Sequence, residues 1–441
     1  MKTLFKTLDG ILLFMIANSV WFFSRPNMLW FILPCILLFL LINIFPSPAN
    51  FRIRPLRLCI CADGASLLVS FLIACTLSII YRIWASLSLL PDDWLMFTIS
   101  IITAVCVLSL VFWNGILRVY CTSVQLGIKH RIIGLLCGWI PIANIFALLS
   151  IISITTKEVE FELKKQQINK NRADKQVCKT KYPLLLVHGV FFRDTKMLNY
   201  WGRIPEELEN NGAKVFYGNH QSALSVEESG REIAYRIKEI ISQTGCEKVN
   251  IIAHSKGGLD CRYAISHCGI DAKVASLTTI STPHKGCLFA DYLLFKVGDN
   301  IQSRIAAAYN KMFKKFGDET PDFLSSVNSL TYESCSKFNR CTPDSDKVYY
   351  QSVGSKLNKA VYGKFPMNFS YHLVKHFDGA NDGLVSEKSF PWGERFTFVE
   401  VSGKRGVSHA DMIDLNRENI PQFDVREFYV KLVSDLKRMG Y

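Results

Sequence analysis

Charged residues are almost missing from the first third of this chain, and that gap constrains the fold more than any motif. Up to Thr155 there are 10 Lys/Arg and 4 Asp/Glu. Between them lie runs such as ASLLVSFLIACTLSII at 65–80 and LMFTISIITAVCVLSLVFWNGIL at 95–117. A helix crossing the hydrocarbon core needs roughly 20 mostly apolar residues, because no water is there and the helix must satisfy its own backbone. Windows at 28–45, 65–87, 95–117 and 132–154 meet that requirement, and 10–23 is a shorter candidate. A buried helix of a large globular domain explains one such window but not four in succession. A cleaved signal peptide explains at most the first. Residues 1–156 are therefore expected to form an all-α transmembrane bundle of four or five spans.

The segments between windows bear on sidedness. With five spans, the Lys/Arg distribution puts the N-terminus in the cytoplasm and the chain after residue 154 outside. With four spans the parity reverses, and the Lys-rich stretch 157–181 itself favours the cytoplasmic side. That stretch, KEVEFELKKQQINKNRADKQVCKTK, is polar and lacks turn punctuation, so it reads as a helical or flexible linker.

Beyond Thr155 the chain carries 41 Lys/Arg against 34 Asp/Glu, without blocks of like charge. The excess is too small and scattered for nucleic-acid binding. A basic surface beside an anionic bilayer, or ordinary solvated charge, accounts for it. Fourteen cysteines divide evenly about Thr155, seven on each side. An odd number in the later part argues against a complete disulfide framework, leaving Cys335 and Cys341, which flank a short loop, as a candidate pair. No C-x-x-C or Cys/His pair at zinc spacing is present.

From residue 182 short apolar segments alternate with amphipathic ones. PLLLVHG at 183–189 reads as a strand buried on both faces, 203–212 as a helix stopped by glycine, and 213–218 as a strand. A helix over 226–245, a strand over 248–254, a helix to about residue 266 and a strand over 274–282 follow. This alternation predicts a mostly parallel sheet with right-handed crossovers. It is interrupted over 287–346, a helical, amphipathic stretch containing Phe289, Tyr292, Leu293, Leu294, Phe295, Met312, Phe313 and Phe316, and resumes with a strand over 347–355.

Chemistry concentrates at VNIIAHSKGG, residues 249–258. An apolar strand running through His-Ser-x-Gly-Gly into a helix is the arrangement a nucleophilic serine needs, since it must sit on a strained turn with small residues around it. The small residue ahead of Ser255 is Ala253 where glycine is usual, and alanine still fits. The competing reading is a serine at an ordinary helix N-cap. A serine hydroxyl needs a base whose imidazole a carboxylate orients, and Ser, acid, His is the chain order for this type of turn. Asp382, in DGANDGLV at 378–385, and His409, in VSHADMI at 407–413, fit that order. Asp378 is the rival acid, and His188, His254, His284, His372 and His376 are rival histidines. Acyl transfer also needs donors for a developing oxyanion. The backbone N–H groups of Lys256, after the nucleophile, and Val190, after the first strand, stand where this geometry supplies them.

These stretches resemble the bacterial true lipases, the family I triacylglycerol lipases. The resemblance rests on YPLLLVHGVF at 182–191, YWGRIPEELENNGAKVF at 200–216, KVNIIAHSKGG at 248–258, STPHKG at 281–286 and NDGLVS at 381–386. It implies an α/β-hydrolase domain over 182–441, with Ser255, Asp382 and His409 as catalytic triad and Val190 and Lys256 at the oxyanion hole. It also implies a mobile lid at about 287–346, whose apolar face covers an acyl groove in water and turns toward lipid at an interface. A fixed helical cap is the alternative. The family carries a structural calcium with one ligand two residues after the histidine, where Asp411 stands; a second expected carboxylate has no clear counterpart in 355–366. The N-terminal membrane region has no equivalent in that family. The combined expectation is a multi-pass protein of a bacterial cell membrane that hydrolyses carboxylic esters of acyl lipids, with no cofactor required for the chemistry. A lipid acyltransferase, a phospholipase, a lipid-anchor deacylase and a noncatalytic binding protein remain the alternatives.

Overall fold

The structure, a computed structural model, describes residues 2–22, 29–89, 94–190, 199–221, 223–296, 299–315, 318–364 and 367–441. The chain divides into two compact units, Met1–Ile168 and Asn169–Tyr441.

The first unit is helical: α1 (Lys2–Ala17), α2 (Ser19–Phe22), α3 (Leu29–Ile44), α4 (Leu56–Leu89), α5 (Trp94–Thr122), α6 (Gly127–Cys137) and α7 (Ala143–Arg172), the last running past the division. Among the described residues, Trp30–Arg52, Leu56–Ala85 and Trp94–Thr122 are long and apolar enough to cross a membrane. The window 132–154 is not one helix. It breaks between α6 and α7 around Pro141, which has no N–H to continue the ladder and whose ring crowds the preceding turn, and Ile142 takes φ 67°. The window 10–23 is split between α1 and α2, and its last residue lies outside the described ones.

Glycines let the long helices approach closely. A Cβ on Gly115 would stand 2.8 Å from Leu68 Cδ2, and one on Gly64 2.8 Å from Arg118 Cβ, so α4 and α5 meet backbone to side chain there. Leu67, Leu108 and Val111 are buried in this interface, whereas Ile102, Val105, Leu110, Trp113 and Leu117 point outward and are exposed. An apolar exterior of that extent favours lipid over water as its solvent. The stretch that follows, read from sequence as a linker, continues α7 as helix to Arg172 and then makes a 3-10 turn over Ala173–Lys175.

The second unit is built on six parallel strands, β1 (Leu184–Val187), β2 (Val215–Tyr217), β3 (Val249–His254), β4 (Val274–Ile280), β5 (Tyr349–Ser355) and β6 (Arg395–Val399), in the spatial order β2-β1-β3-β4-β5-β6. Its helices are α8 (Ile204–Glu209), α9 (Val226–Thr244), α10 (Lys256–His267), α11 (Leu288–Lys296), α12 (Asp299–Lys315), α13 (Phe323–Asn328), α14 (Tyr332–Cys341), α15 (Met367–Asp378) and α16 (Val425–Arg438). Because side chains alternate along a strand, a continuously apolar strand serves two cores at once. Leu184 and Leu186 of β1 pack with Trp201, Ile204 and Leu208 around α8 and with Tyr429 and Val433 of α16. Leu185 and Val187 pack with Ile233, Ile237 and Ile240 of α9 and Cys261 and Ala264 of α10.

Local signals agree with this layout. Ser225 and Glu228 form a capping box on α9, which ends at Gly245 with φ 68°, a backbone that glycine adopts without strain. The chain order reverses direction across the sheet at β1, whose neighbours are β2 on one side and β3 on the other. Loops leaving the ends of β1 and β3 therefore diverge, and the crevice between them is where sheets of this kind hold ligands. The sequence-expected lid spans α11 to α14; the side chains of Phe289, Leu293, Phe295, Met312, Phe313 and Phe316 lie outside the described residues. Cys335 is buried, Cys341 exposed, and both are free thiols.

Candidate active site

Ser255 occupies the turn between β3 and α10 at φ 54°, ψ −131°, a backbone that L-residues rarely adopt and that costs about 1–3 kcal/mol. Its surroundings hold it there. Its N–H donates to the Ile280 carbonyl at 2.9 Å, and the next turn closes through Gly258 N–H to its own carbonyl at 3.1 Å. No larger residue fits around it: a Cβ on Gly189 would lie 2.7 Å from Ser255 Cβ, one on Gly257 2.4 Å from the His188 carbonyl, and one on Gly258 2.2 Å from Thr282 Oγ1. The hydroxyl does not cap α10, and among the described residues it has no hydrogen-bond partner. The ordinary N-cap reading of this serine is therefore excluded by geometry.

Two backbone donors border it. Val190 follows Gly189 in the loop after β1, and Lys256 opens α10, whose first N–H groups have no intrahelical acceptor. Both residues are buried, and among the described residues neither N–H has an acceptor. The Lys256 side chain is committed elsewhere: its Nζ donates to Asp260 Oδ1 at 2.7 Å and Ser229 Oγ at 3.1 Å. Burial pushes the Asp260 carboxyl up to about 7 despite that lysine.

The candidate acid and the candidate base meet. His409 Nδ1 donates to Asp382 Oδ2 at 2.8 Å, and Asp382 Oδ1 accepts the N–H groups of Leu384 at 3.0 Å and Val385 at 2.8 Å. The His409 N–H also donates to the Asp382 carbonyl at 2.9 Å, so the two loops are joined by backbone as well. Asp382 is fully buried and His409 nearly so. A carboxylate with every bond to it in place orients the imidazole and fixes Nδ1 as the protonated nitrogen. No hydrogen bond links His409 to the Ser255 hydroxyl among the described residues; its ring stands 4.4 Å, centroid to centroid, from that of His254, the residue preceding the serine. Catalytic hydrogen bonds in unliganded sites are often open and close on substrate.

The rival residues are engaged otherwise. Asp378 faces the Leu288 N–H at 3.4 Å. His188 stacks on His220 with centroids 3.9 Å apart, and His284 lies against Trp392 with Nε2 2.9 Å from Thr279 Oγ1. His372 and His376 are exposed on α15.

Tyr200 and His254 take a part that the motif did not reveal. The Tyr200 hydroxyl accepts the Gly189 N–H at 3.1 Å and donates to His254 Nδ1 at 2.7 Å, while His254 Nε2–H donates to the His409 carbonyl at 3.2 Å. The loop after β1, the strand leading to Ser255 and the histidine loop are thus tied through one phenol and one imidazole. Burial, followed by the proximity of His409, holds His254 well below the usual histidine range and neutral, as these partners require.

Asp411, the expected calcium ligand, is also buried, but a guanidinium balances it. Arg405 Nη2 donates to Asp411 Oδ1 at 3.1 Å, and Asp411 Oδ2 accepts the Ser408 N–H at 2.9 Å. Calcium takes six to eight oxygens; among the described residues no group of three or more His, Cys, Asp or Glu side chains converges to hold a metal ion. The residues around Asp411 do not fit that ion.

A parallel sheet with a strained serine at the end of its central strand, and a buried Asp–His pair on two loops beyond its later strands, defines a chain of the α/β-hydrolase type. Comparisons with known proteins find lipases among its relatives. Triacylglycerol lipase of Pseudarthrobacter phenanthrenivorans is 34% identical over 176 residues, 37% of this chain and 54% of that protein. The Vibrio cholerae triacylglycerol lipase is 31% identical over 285 residues, 59% of this chain and 89% of that protein. The chain thus spans about half the length of the first of these relatives and most of the second. The palmitoyl protein thioesterase family matches residues 183–340. Among solved structures, Bacillus licheniformis lipase BlEst2 in mature form aligns with 58% of this chain and 92% of its own at 22% identity and a TM-score of 0.43. This chain belongs to the triacylglycerol lipase family.

Proposed function

We propose that the chain is a membrane-anchored serine lipase or esterase that hydrolyses carboxylic esters of acyl lipids through an acyl-serine intermediate. The observation that carries the reading is the strained Ser255, whose hydroxyl has no hydrogen-bond partner among the described residues, flanked by two buried N–H groups that have no acceptor among them. In this reading His409 Nε2 takes the hydroxyl proton as Ser255 Oγ attacks the ester carbonyl, and the oxyanion forms against the N–H groups of Val190 and Lys256. Collapse expels the alcohol, which leaves with the proton from His409. Water then repeats the sequence on the acyl-serine and releases the acid, with Asp382 holding the imidazole throughout. The stretch 287–346 acts as a lid gating the acyl groove. The grouping with the family I true lipases rests on the five sequence stretches quoted above. The three long apolar helices support anchoring in a membrane, beside which acyl lipids are the substrates at hand.

The match of residues 183–340 to the palmitoyl protein thioesterase family favours a second reading, removal of acyl chains from thioesters by the same machinery. One experiment separates the two. The full chain in detergent micelles, beside its Ser255→Ala variant, is given p-nitrophenyl esters of short and long acids and the matching S-acyl thioesters. Faster turnover of long-chain oxygen esters, lost in the variant, is the expected result. A preference for thioesters favours the second reading, and turnover that survives Ser255→Ala defeats both.

A further inference from the structure

The loop that carries His409 is held by two guanidinium groups. Arg203 grips Asp414 from two sides, Nε to Oδ2 at 2.7 Å and Nη2 to Oδ1 at 2.8 Å. Arg405 stands four residues ahead of the histidine. Its Nη2 reaches Asp411 Oδ1 at 3.1 Å and Glu418 Oε2 at 2.7 Å, and its Nη1 reaches the Tyr362 carbonyl at 3.2 Å. The other Glu418 oxygen is taken by Lys364 Nζ at 2.6 Å.

Two carboxylates and a carbonyl converging on one positive charge form the oxygen set of a cation site, and the cation is part of the chain. A buried carboxylate stripped of its counter-charge is strongly destabilising, so Asp411 needs a partner. Burial raises its carboxyl and Arg405 is the largest influence opposing that rise. The histidine loop needs such a brace because its geometry at His409 depends on the 408–411 turn, where Asp411 accepts the Ser408 N–H and returns its own N–H to Ser408 Oγ at 3.2 Å.

We propose that Arg405 is a positioning residue that serves as the built-in cation of the histidine loop, so that the loop keeps its catalytic geometry without a divalent metal ion. The proposal rests on the reading of His409 as the base for its activity arm alone; a second arm reads the loop directly.

The full chain in detergent is measured with and without EDTA, beside Arg405→Ala and Arg405→Lys. Ester turnover and the hydrogen-exchange protection of residues 406–415 are followed together. In the wild type both are unchanged by EDTA. Arg405→Ala lowers kcat by about 10- to 100-fold, the usual cost of losing a partner that orients an active-site ligand, with KM unchanged. Its loss of protection is confined to 406–415. Arg405→Lys, or methylguanidinium added to Arg405→Ala, restores part of both. A wild type whose loop loosens in EDTA overturns the proposal, as does an Arg405→Ala chain that keeps both protection and kcat, or one that loses protection throughout the domain. If the wild type turns over no ester, the functional reading fails while the exchange measurement still decides the role of Arg405.

Discussion

Replacing Asp382 with asparagine changes one atom and should remove most of the turnover. The carboxylate accepts from three donors: His409 Nδ1 on Oδ2, and the N–H groups of Leu384 and Val385 on Oδ1. An asparagine can satisfy both backbone donors only by keeping its carbonyl oxygen where Oδ1 was, which turns its NH2 toward His409. The reverse orientation points that NH2 at two N–H groups and leaves them unsatisfied inside the protein, at about 1–3 kcal/mol each. The first orientation therefore wins. It presents a donor to Nδ1, forces the imidazole into the tautomer protonated at Nε2, and takes away the lone pair that would accept the Ser255 proton. The wrong tautomer costs about 10⁴ in kcat, or roughly 5.5 kcal/mol of transition-state stabilisation. Steady-state hydrolysis of a p-nitrophenyl ester measures the loss, and an unchanged circular dichroism spectrum shows that the fold is kept. A loss below about tenfold, under 1.4 kcal/mol, would refute the tautomer argument and with it the role given to Asp382.

Gly189→Ala places a methyl group 2.7 Å from Ser255 Cβ and 3.0 Å from the His254 carbonyl, so the loop after β1 must retreat. A displacement near 1 Å is expected to lower kcat by about 10²-fold, measured with the same ester. Tyr200→Phe removes the hydroxyl joining Gly189 to His254 and leaves two buried polar atoms without that partner, lowering stability by about 1–3 kcal/mol in a urea titration. His254 and His284 are both held well below the ordinary value of 6.5 by burial. The unfolded chain therefore binds protons there that the native chain refuses. Stability is intact above about pH 6.5 and falls below it by roughly 1.4 kcal/mol per pH unit for each histidine, and His254→Gln removes its share of that slope.

Much of this was legible because the signals are local. A continuously apolar segment ending in glycine marked β1, a segment closed by glycine marked α9, and strand, Ser, Gly-Gly marked the turn at Ser255. Asp382 and His409 were readable through their order and their loops, and the structure brings the two together. Other features depend on residues distant in sequence. Tyr200 bonds His254 across 54 positions, and nothing in its neighbourhood distinguishes it from a core tyrosine. Arg405 lies only six residues from Asp411, yet its contact with Glu418 arises from the turns between them. Hydropathy alone reads 132–154 as one span because Pro141 is itself compatible with an apolar window, whereas the backbone at Ile142 breaks the helix there. A polar stretch without turn residues left 157–181 open between helix and coil; helix to Arg172 is the outcome.

The proposed chemistry turns on the hydroxyl of Ser255 being an activated nucleophile. A fluorophosphonate probe tests this without a choice of substrate, since it forms a covalent adduct with a serine that has a working base and oxyanion donors. The full chain in detergent is treated with the probe, digested, and the adduct mapped by mass spectrometry. One adduct is expected, on Ser255, absent from Ser255→Ala and formed far more slowly in His409→Ala. A folded wild-type chain that takes up no probe, or takes it up on another residue, would contradict it.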